Sequence, residues 1–275
     1  MRTPAVLTVA GRELRAALRG RLIASFGALF ALLAVGIALA GLGGSGQVLV
    51  QDFTRTAASL LNLSLYLFPL LGLILGAAAF SGAGGDLELL VAQPITRWSV
   101  LTGHLLGLLG AVSAVALVGF GAAGLLVALR VGTAGLGGYA IVAGVSLLTA
   151  AIGLGIGALL GILLRGGTAA VGWALAVWLY FAMVFDLALI GTLQVVGDAR
   201  PGLGVAAALA LNPVDALRAI ALVRLDAELL LGPAGATLLG VYGRGVGFAV
   251  LAVATAFWLV APGALAGVLF SRRDL

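Results

Sequence analysis

Lysine is missing from this chain: all fifteen of its basic residues are arginine. A Walker A loop needs a lysine to reach the nucleotide phosphates, so any ATP that drives this protein is hydrolysed on another chain. Cysteine is also absent, and the sulfur and imidazole ligands that remain are His104, Met1 and Met183. Copper and zinc sites are built from thiolate, thioether or imidazole, so one copy is not expected to hold a metal. A single histidine likewise excludes a His-Glu-x-x-His zinc enzyme. Gly44-Ser45-Gly46 reads as a flexible loop and not as the seat of a nucleophile, so catalysis by this chain is not expected. Charge is scarce too, at 9% of residues, against about 25% in soluble domains.

What is present is apolar. Of the 275 residues 63% are hydrophobic, and the mean hydropathy is +1.24. The chain is expected to be all-α and polytopic, with one transmembrane domain over residues 1–275 and six spans. The first, Leu22 to Leu42, is about 31 Å long as a helix, enough to cross a bilayer and too long for a cleaved leader. The others run from Ala57 to Phe80, Leu101 to Leu129, Tyr139 to Leu164, Thr168 to Ile190 and Val246 to Phe270.

Residues 1–21 form an expected interfacial helix ahead of the first span, capped by Thr3 with Pro4 in its first turn. Arg12, Arg15 and Arg19 fall within about 60° of one another on it, while Leu7, Ala10, Leu14, Ala17 and Leu18 gather opposite. Such a helix lies in the headgroup plane with arginine toward anionic lipid. The basic pI near 10.7 therefore points to lipid as a partner and not to nucleic acid. Six spans place both termini on one side. That side holds Arg2, Arg12, Arg15, Arg19, Arg21, Arg97, Arg165, Arg272 and Arg273, nine of the fifteen arginines, which assigns it to the cytoplasm.

Between the second and third spans, residues 81–100 then form a cytoplasmic loop. Asp86 to Ala92 reads as about two helical turns, with Leu87, Leu90 and Val91 on one side. Pro94 ends it, having no N–H to donate. A short helix with an apolar side fits a groove on another protein, or folds back on its own bundle.

Glycine is abundant, with 43 copies. Gly153, Gly157 and Gly161 recur every four residues, as do Gly103, Gly107 and Ala111, and each set offers a smooth stripe for close helix packing. Pro69 is expected to kink the second span. Ser59, Asn62 and Tyr66 share one face of that span and are expected at a helix interface, with a central path as the other reading. Asp186 is the one acid inside the fifth span; it is either a functional intramembrane group or close enough to the edge to reach water.

Residues 191–245 make the extracytoplasmic segment. Asn212-Pro213-Val214-Asp215 begins a helix there, with a cap, proline in the first turn and an acid three residues on. Gly232-Pro233 is expected to stop it, with Asp215–Arg218 and Arg224–Glu228 as ion pairs along its length. Whether this helix lies on the outer surface, dips inward or meets a partner is open from sequence.

The order of parts resembles the permease subunits of ABC-2-type exporters, over nearly the whole chain. Gly11-Arg12-Glu13-Leu14, Thr56-Ala57-Ala58-Ser59-Leu60, Phe68-Pro69-Leu70, Leu87 to Leu90 with Pro94, Arg97 and Gly103, Val184-Phe185-Asp186 and Leu211-Asn212-Pro213-Val214-Asp215 carry the likeness. Within that family the chain is most similar to the NosY-like branch, the permeases of the copper-processing system that matures nitrous oxide reductase. The resemblance implies an elbow helix (Arg12, Glu13, Arg15, Arg19) and a coupling helix for a separate ABC ATPase subunit (Asp86, Leu87, Glu88, Leu89, Leu90, Pro94, Arg97). It also implies a second copy of the chain, ATP and Mg on the ATPase and no cofactor here, and an inner-membrane location. A periplasmic copper-handling protein is the implied further partner. Two positions depart from the family: Ser81-Gly82-Ala83-Gly84 stands where an acidic run is usual, and His104 where lysine is. An exporter of lipophilic small molecules, drugs or glycolipids is the alternative on the same fold.

Overall fold

A computed structural model describes residues 3–42, 49–81, 95–133, 136–164, 166–188, 208–225, 227 and 232–272. The expected helix over Asp86 to Ala92, with Leu87, Glu88, Leu89, Leu90 and the following Pro94, lies outside the described residues, as does Glu228.

Among the described residues all regular structure is helical. The helices are α1 (Thr3–Arg19), α2 (Arg21–Leu42), α3 (Leu49–Phe80), α4 (Arg97–Val131), α5 (Leu136–Leu163), α6 (Gly167–Leu179), α7 (Pro213–Arg224) and α8 (Gly232–Arg272). α6 continues through a wide π-turn, Tyr180–Val184. Six of these contain stretches long and apolar enough to span a bilayer: Arg21–Gly41, Thr56–Phe80, Arg97–Arg130, Leu136–Leu163, Gly167–Ala188 and Gly245–Arg272. The expected spans are all recovered, with ends displaced by a few residues.

α5 is the hub. Its apolar window is 72% buried, against 17% for those of α6 and α8. It lies against α3 with almost no side chain between the two backbones. A Cβ on Gly153 would come within 2.6 Å of the Pro69 carbonyl oxygen, and one on Gly157 would strike the carbonyl of Leu73. A Cβ on Gly161 would meet the Ala77 carbonyl at 2.6 Å, while Gly72 and Gly76 of α3 face the backbone of Ala150 and Leu154 in return. Hydrophobic association is weak between helices already in lipid, so such close van der Waals contact supplies the attraction. One buried polar contact fixes the register: Ser146 Oγ lies 2.7 Å from Ser64 Oγ.

The second glycine stripe receives a different helix. Gly103 and Gly107 of α4 face Val9 and Glu13 of α1 so closely that a Cβ on either would collide with them. On α1 the expected apolar side divides: Ala10, Leu14 and Ala17 turn toward the bundle, whereas Leu7 and Leu18 are exposed with Arg12, Arg15 and Arg19. Phe30, Phe68 and Phe120 join α2, α3 and α4, with ring centroids 4.9 and 5.0 Å from Phe30 to the other two.

One expectation for the segment after α6 is corrected. α7 ends at Arg224 with Leu225 as its cap, and Gly232-Pro233 begins α8 instead of stopping the preceding helix. Proline is as well suited to a first helical turn as to a stop, because the first N–H groups of a helix need no partner. The expected partner of Arg224, Glu228, is outside the described residues; the Arg224 guanidinium lies over the Phe248 ring at 4.7 Å. Nor does α7 rest on a surface. Pro213, Val214, Asp215, Ala216, Leu217, Ala219, Ala221 and Leu222 are buried, and Val214, Leu217, Ala221 and Leu222 join the main apolar core with residues of α2 to α5.

Candidate functional site

Functional geometry concentrates at the two ends of the bundle. At one end, α3 stops at Phe80 and α4 begins after Thr96. Thr96 has extended backbone and accepts from Ser99 N, a conventional N-cap. Arg97 donates to the Phe270 carbonyl in the last turn of α8 at 3.2 Å, where the carbonyls of a helix C-terminus lack backbone partners. The Trp98 ring packs on Gly267 so closely that a Cβ there has no room. Phe80 meets Phe270 edge-on at 5.9 Å and lies 5.6 Å from the His104 ring.

His104 ties this cluster to α1. Its Nε2 is 3.4 Å from Glu13 Oε2, and its Nδ1 is 3.1 Å from the Val100 carbonyl. Both ring nitrogens thus face oxygen atoms, one on α1 and one on its own helix. α1, α3, α4 and α8 converge here, and α5 joins through Ala158 and Ile162. Both flanks of the 82–94 loop are therefore anchored in one apolar cluster.

At the opposite end, the residues come from α3, α6 and α7. Asn212 is fully buried and uses its whole amide. Oδ1 accepts from Val214 N at 3.0 Å as the cap of α7. Nδ2 donates to the Phe181 carbonyl at 2.9 Å and to Asp215 Oδ2 at 2.6 Å. The Phe181 carbonyl needs that donor because of the π-turn: the Phe185 N–H reaches back to Tyr180, one residue beyond its α-helical acceptor.

Arg218 NH1 donates to Asp215 Oδ1 at 3.3 Å, and NH2 to the Tyr66 hydroxyl at 3.4 Å. Asp186 of α6 is also within hydrogen-bonding reach of Asp215, and the Asp215 carboxyl is pushed up to about 7. Burial is the main cause and the charge of Asp186 the next; Arg218 and the Asn212 amide pull the other way. Beside this group is an apolar cavity of about 20 Å³, lined by residues that include Pro69, Ile152, Trp178, Phe181 and Val214.

The structure therefore brings together Tyr66, Asp186, Asn212, Asp215 and Arg218, drawn from three separate stretches of chain. It leaves Ser59 and Asn62 exposed on α3. Asp186 is half-buried against a second acid. The His104–Glu13 pair was missed from sequence, although a polar residue set in a glycine stripe and the one acid on α1 were signals that belonged together. Among the described residues, no group of three or more His, Cys, Asp or Glu is placed to hold a metal ion.

Six long apolar helices, one of them a glycine-lined hub for the others, make a multi-pass membrane protein. Residues 7–275 match the model of the ABC-2 family of transporter proteins, and the chain belongs to that family. It is 37% identical over 280 residues to the "Probable ABC transporter permease protein NosY" of Pseudomonas aeruginosa, covering 99% of this chain and 100% of that protein. A protein of the same description from Stutzerimonas stutzeri is 37% identical over 225 residues, 78% of this chain and 80% of the relative.

Proposed function

We propose that this chain is the permease subunit of an ABC complex in the inner membrane, with both termini cytoplasmic, working as a pair of copies with a separate ATPase that holds ATP and Mg. The observation that carries this reading is the anchoring of the 82–94 loop: Arg97 and Trp98 on α8, Phe80 on α3 and His104 on α1 join its flanks to five helices. A push on residues 86–92 by a closing ATPase then moves helices and not merely a loop. The switch is a rigid-body one, driven by the difference in ATP affinity between two states. Arg12, Arg15 and Arg19, exposed on α1, are suited to anionic lipid at the same face.

The cargo reading follows the resemblance to the NosY-like branch: service to the copper site of nitrous oxide reductase, by transmitting motion to a periplasmic copper-handling protein. Two observations favour transmission over passage of copper through the chain. Met183 is exposed on α6 and His104 is buried at the other end and engaged with Glu13, so these two ligands do not line one path. The second is the cavity beside α7, which has room for about one water and so for no larger cargo.

Replacing Leu87 and Leu90 together with aspartate is expected to abolish co-purification of the ATPase while membrane insertion persists. Undiminished recovery of the ATPase would overturn the docking assignment. Stimulation of the complex's ATPase by a periplasmic protein supports transmission, and stimulation by lipophilic compounds supports the exporter alternative.

A further inference from the structure

We propose that the π-turn of α6 is a one-residue register switch held in its open setting by Asn212. The wide turn leaves the Phe181 carbonyl without the Phe185 N–H, which goes to Tyr180, and Asn212 Nδ2 occupies that carbonyl at 2.9 Å. A π-turn amounts to one extra residue in an α-helix. If it relaxes, Phe185 N–H returns to Phe181, and the helix beyond it turns by about 100° and advances by about 1.5 Å. Asn212 then has no acceptor on α6, and Asp186 swings away from Asp215.

Both settings satisfy the backbone of α6, so the choice between them rests on what holds α7. In the setting observed, Asn212 on Phe181 and burial of Pro213 and Val214 beside Phe181 and Ala182 tie α7 to α6, while Arg218 on Tyr66 and the core contacts of Leu217, Ala221 and Leu222 tie it to the rest of the bundle. Against them stands the approach of Asp186 to Asp215, two acids with Arg218 as the cation paired to Asp215. Such a balance lets a modest push select the register. The output is release of α7 from α6, on the face away from the 82–94 loop. This deepens the proposed transmission role, and its nucleotide arm rests on that reading.

The chain has no cysteine, so a single Val214→Cys reports on the α6–α7 seam without background. Val214 is 7% exposed, and its thiol is expected to react slowly with a water-soluble maleimide in nanodiscs. Adding Asn212→Ser keeps a capping oxygen for Val214 N but removes the donor to Phe181, and avoids the extra carboxylate that aspartate would set against Asp215. Alkylation is expected to rise at least tenfold. Deleting Ala182 closes the wide turn without rotating the helix beyond it and gives the Phe181 carbonyl a backbone donor, so Asn212 loses its acceptor; this is expected to give the same rise, and the two changes together no more than either alone.

An unchanged rate in Asn212→Ser, with helicity and monodispersity retained, overturns the switch. Should that variant fail to fold, the Ala182 deletion carries the same expectation and the same overturning result. Additive effects of the two also overturn it, because they would mean separate packing losses. In the complex, MgATP with vanadate is expected to raise alkylation in the Val214→Cys parent and to add nothing in Asn212→Ser. Loss of ATPase docking with the Asn212→Ser response intact would defeat the docking reading alone.

Discussion

At one end of the bundle, the rings of Phe80, Trp98, His104 and Phe270, the His104–Glu13 contact and the apolar side chains of Ala158 and Ile162 fasten five regular helices together. At the other, a polar group from three helices surrounds a π-turn, with two acids near one arginine. The first end has dense packing on continuous helices, which transmits displacement as a unit. The second has a helix with two ways to satisfy its backbone. The contrast suggests a division of labour: a stiff end that receives force and a soft end that changes shape.

The largest effect is expected where the stiff end joins the hub. Gly157→Leu forces a side chain onto the Leu73 carbonyl and is expected to cost about 3 kcal/mol, read as loss of the monodisperse peak after detergent extraction. An unchanged thermal midpoint would show that α3 and α5 separate easily, and the stiff end would lose its backing. His104→Leu, next in size, leaves the part-buried Glu13 without its partner and is expected to cost about 1–3 kcal/mol. Adding Glu13→Leu is expected to recover most of the lost thermal stability; no recovery would mean that the ion pair is not what holds α1.

The soft end is expected to respond to pH. Asp215 rises from 3.8 to about 7 in the folded chain, so the folded state binds the extra proton across that window. Its contribution to stability is present below about pH 4 and is lost as pH climbs through about 7. Thermal midpoints in detergent should fall accordingly between pH 5 and 7.5, and Asp215→Asn should flatten the slope; an equal slope in the variant would remove the acid pair from the account. Asn62→Leu is expected to change stability by less than about 0.5 kcal/mol, because its side chain is exposed on α3. A larger shift would reveal that this face is covered in the complex.

Much of the fold was legible in the sequence because lipid imposes one rule, long apolar helices, and glycine spacing marks where they touch. Gly153, Gly157 and Gly161 marked one face of α5 for close packing, although nothing in their spacing named α3 as the helix that meets it. Less of the site was legible. Asn212 was readable as a cap, since capping is local, but its second hydrogen bond depends on a π-turn that no local propensity in Tyr180 to Val184 announces. Glu13 and His104 are 91 residues apart in the chain, and only the crossing of α1 over the Gly103–Gly107 stripe makes them neighbours. The Gly232-Pro233 error has a similar origin: the pair punctuates a chain, but which side of it is helical depends on what packs there.

α8 draws the two ends together. Its 41 residues amount to about 60 Å of helix, roughly twice the thickness of a hydrocarbon layer. Its foot, at Phe270, is stepped in the stiff end, so the helix is a mast about twice as tall as the layer it crosses. A tilt of a few degrees at the foot sweeps the masthead through several ångströms, a mechanical gain available to any protein moored there.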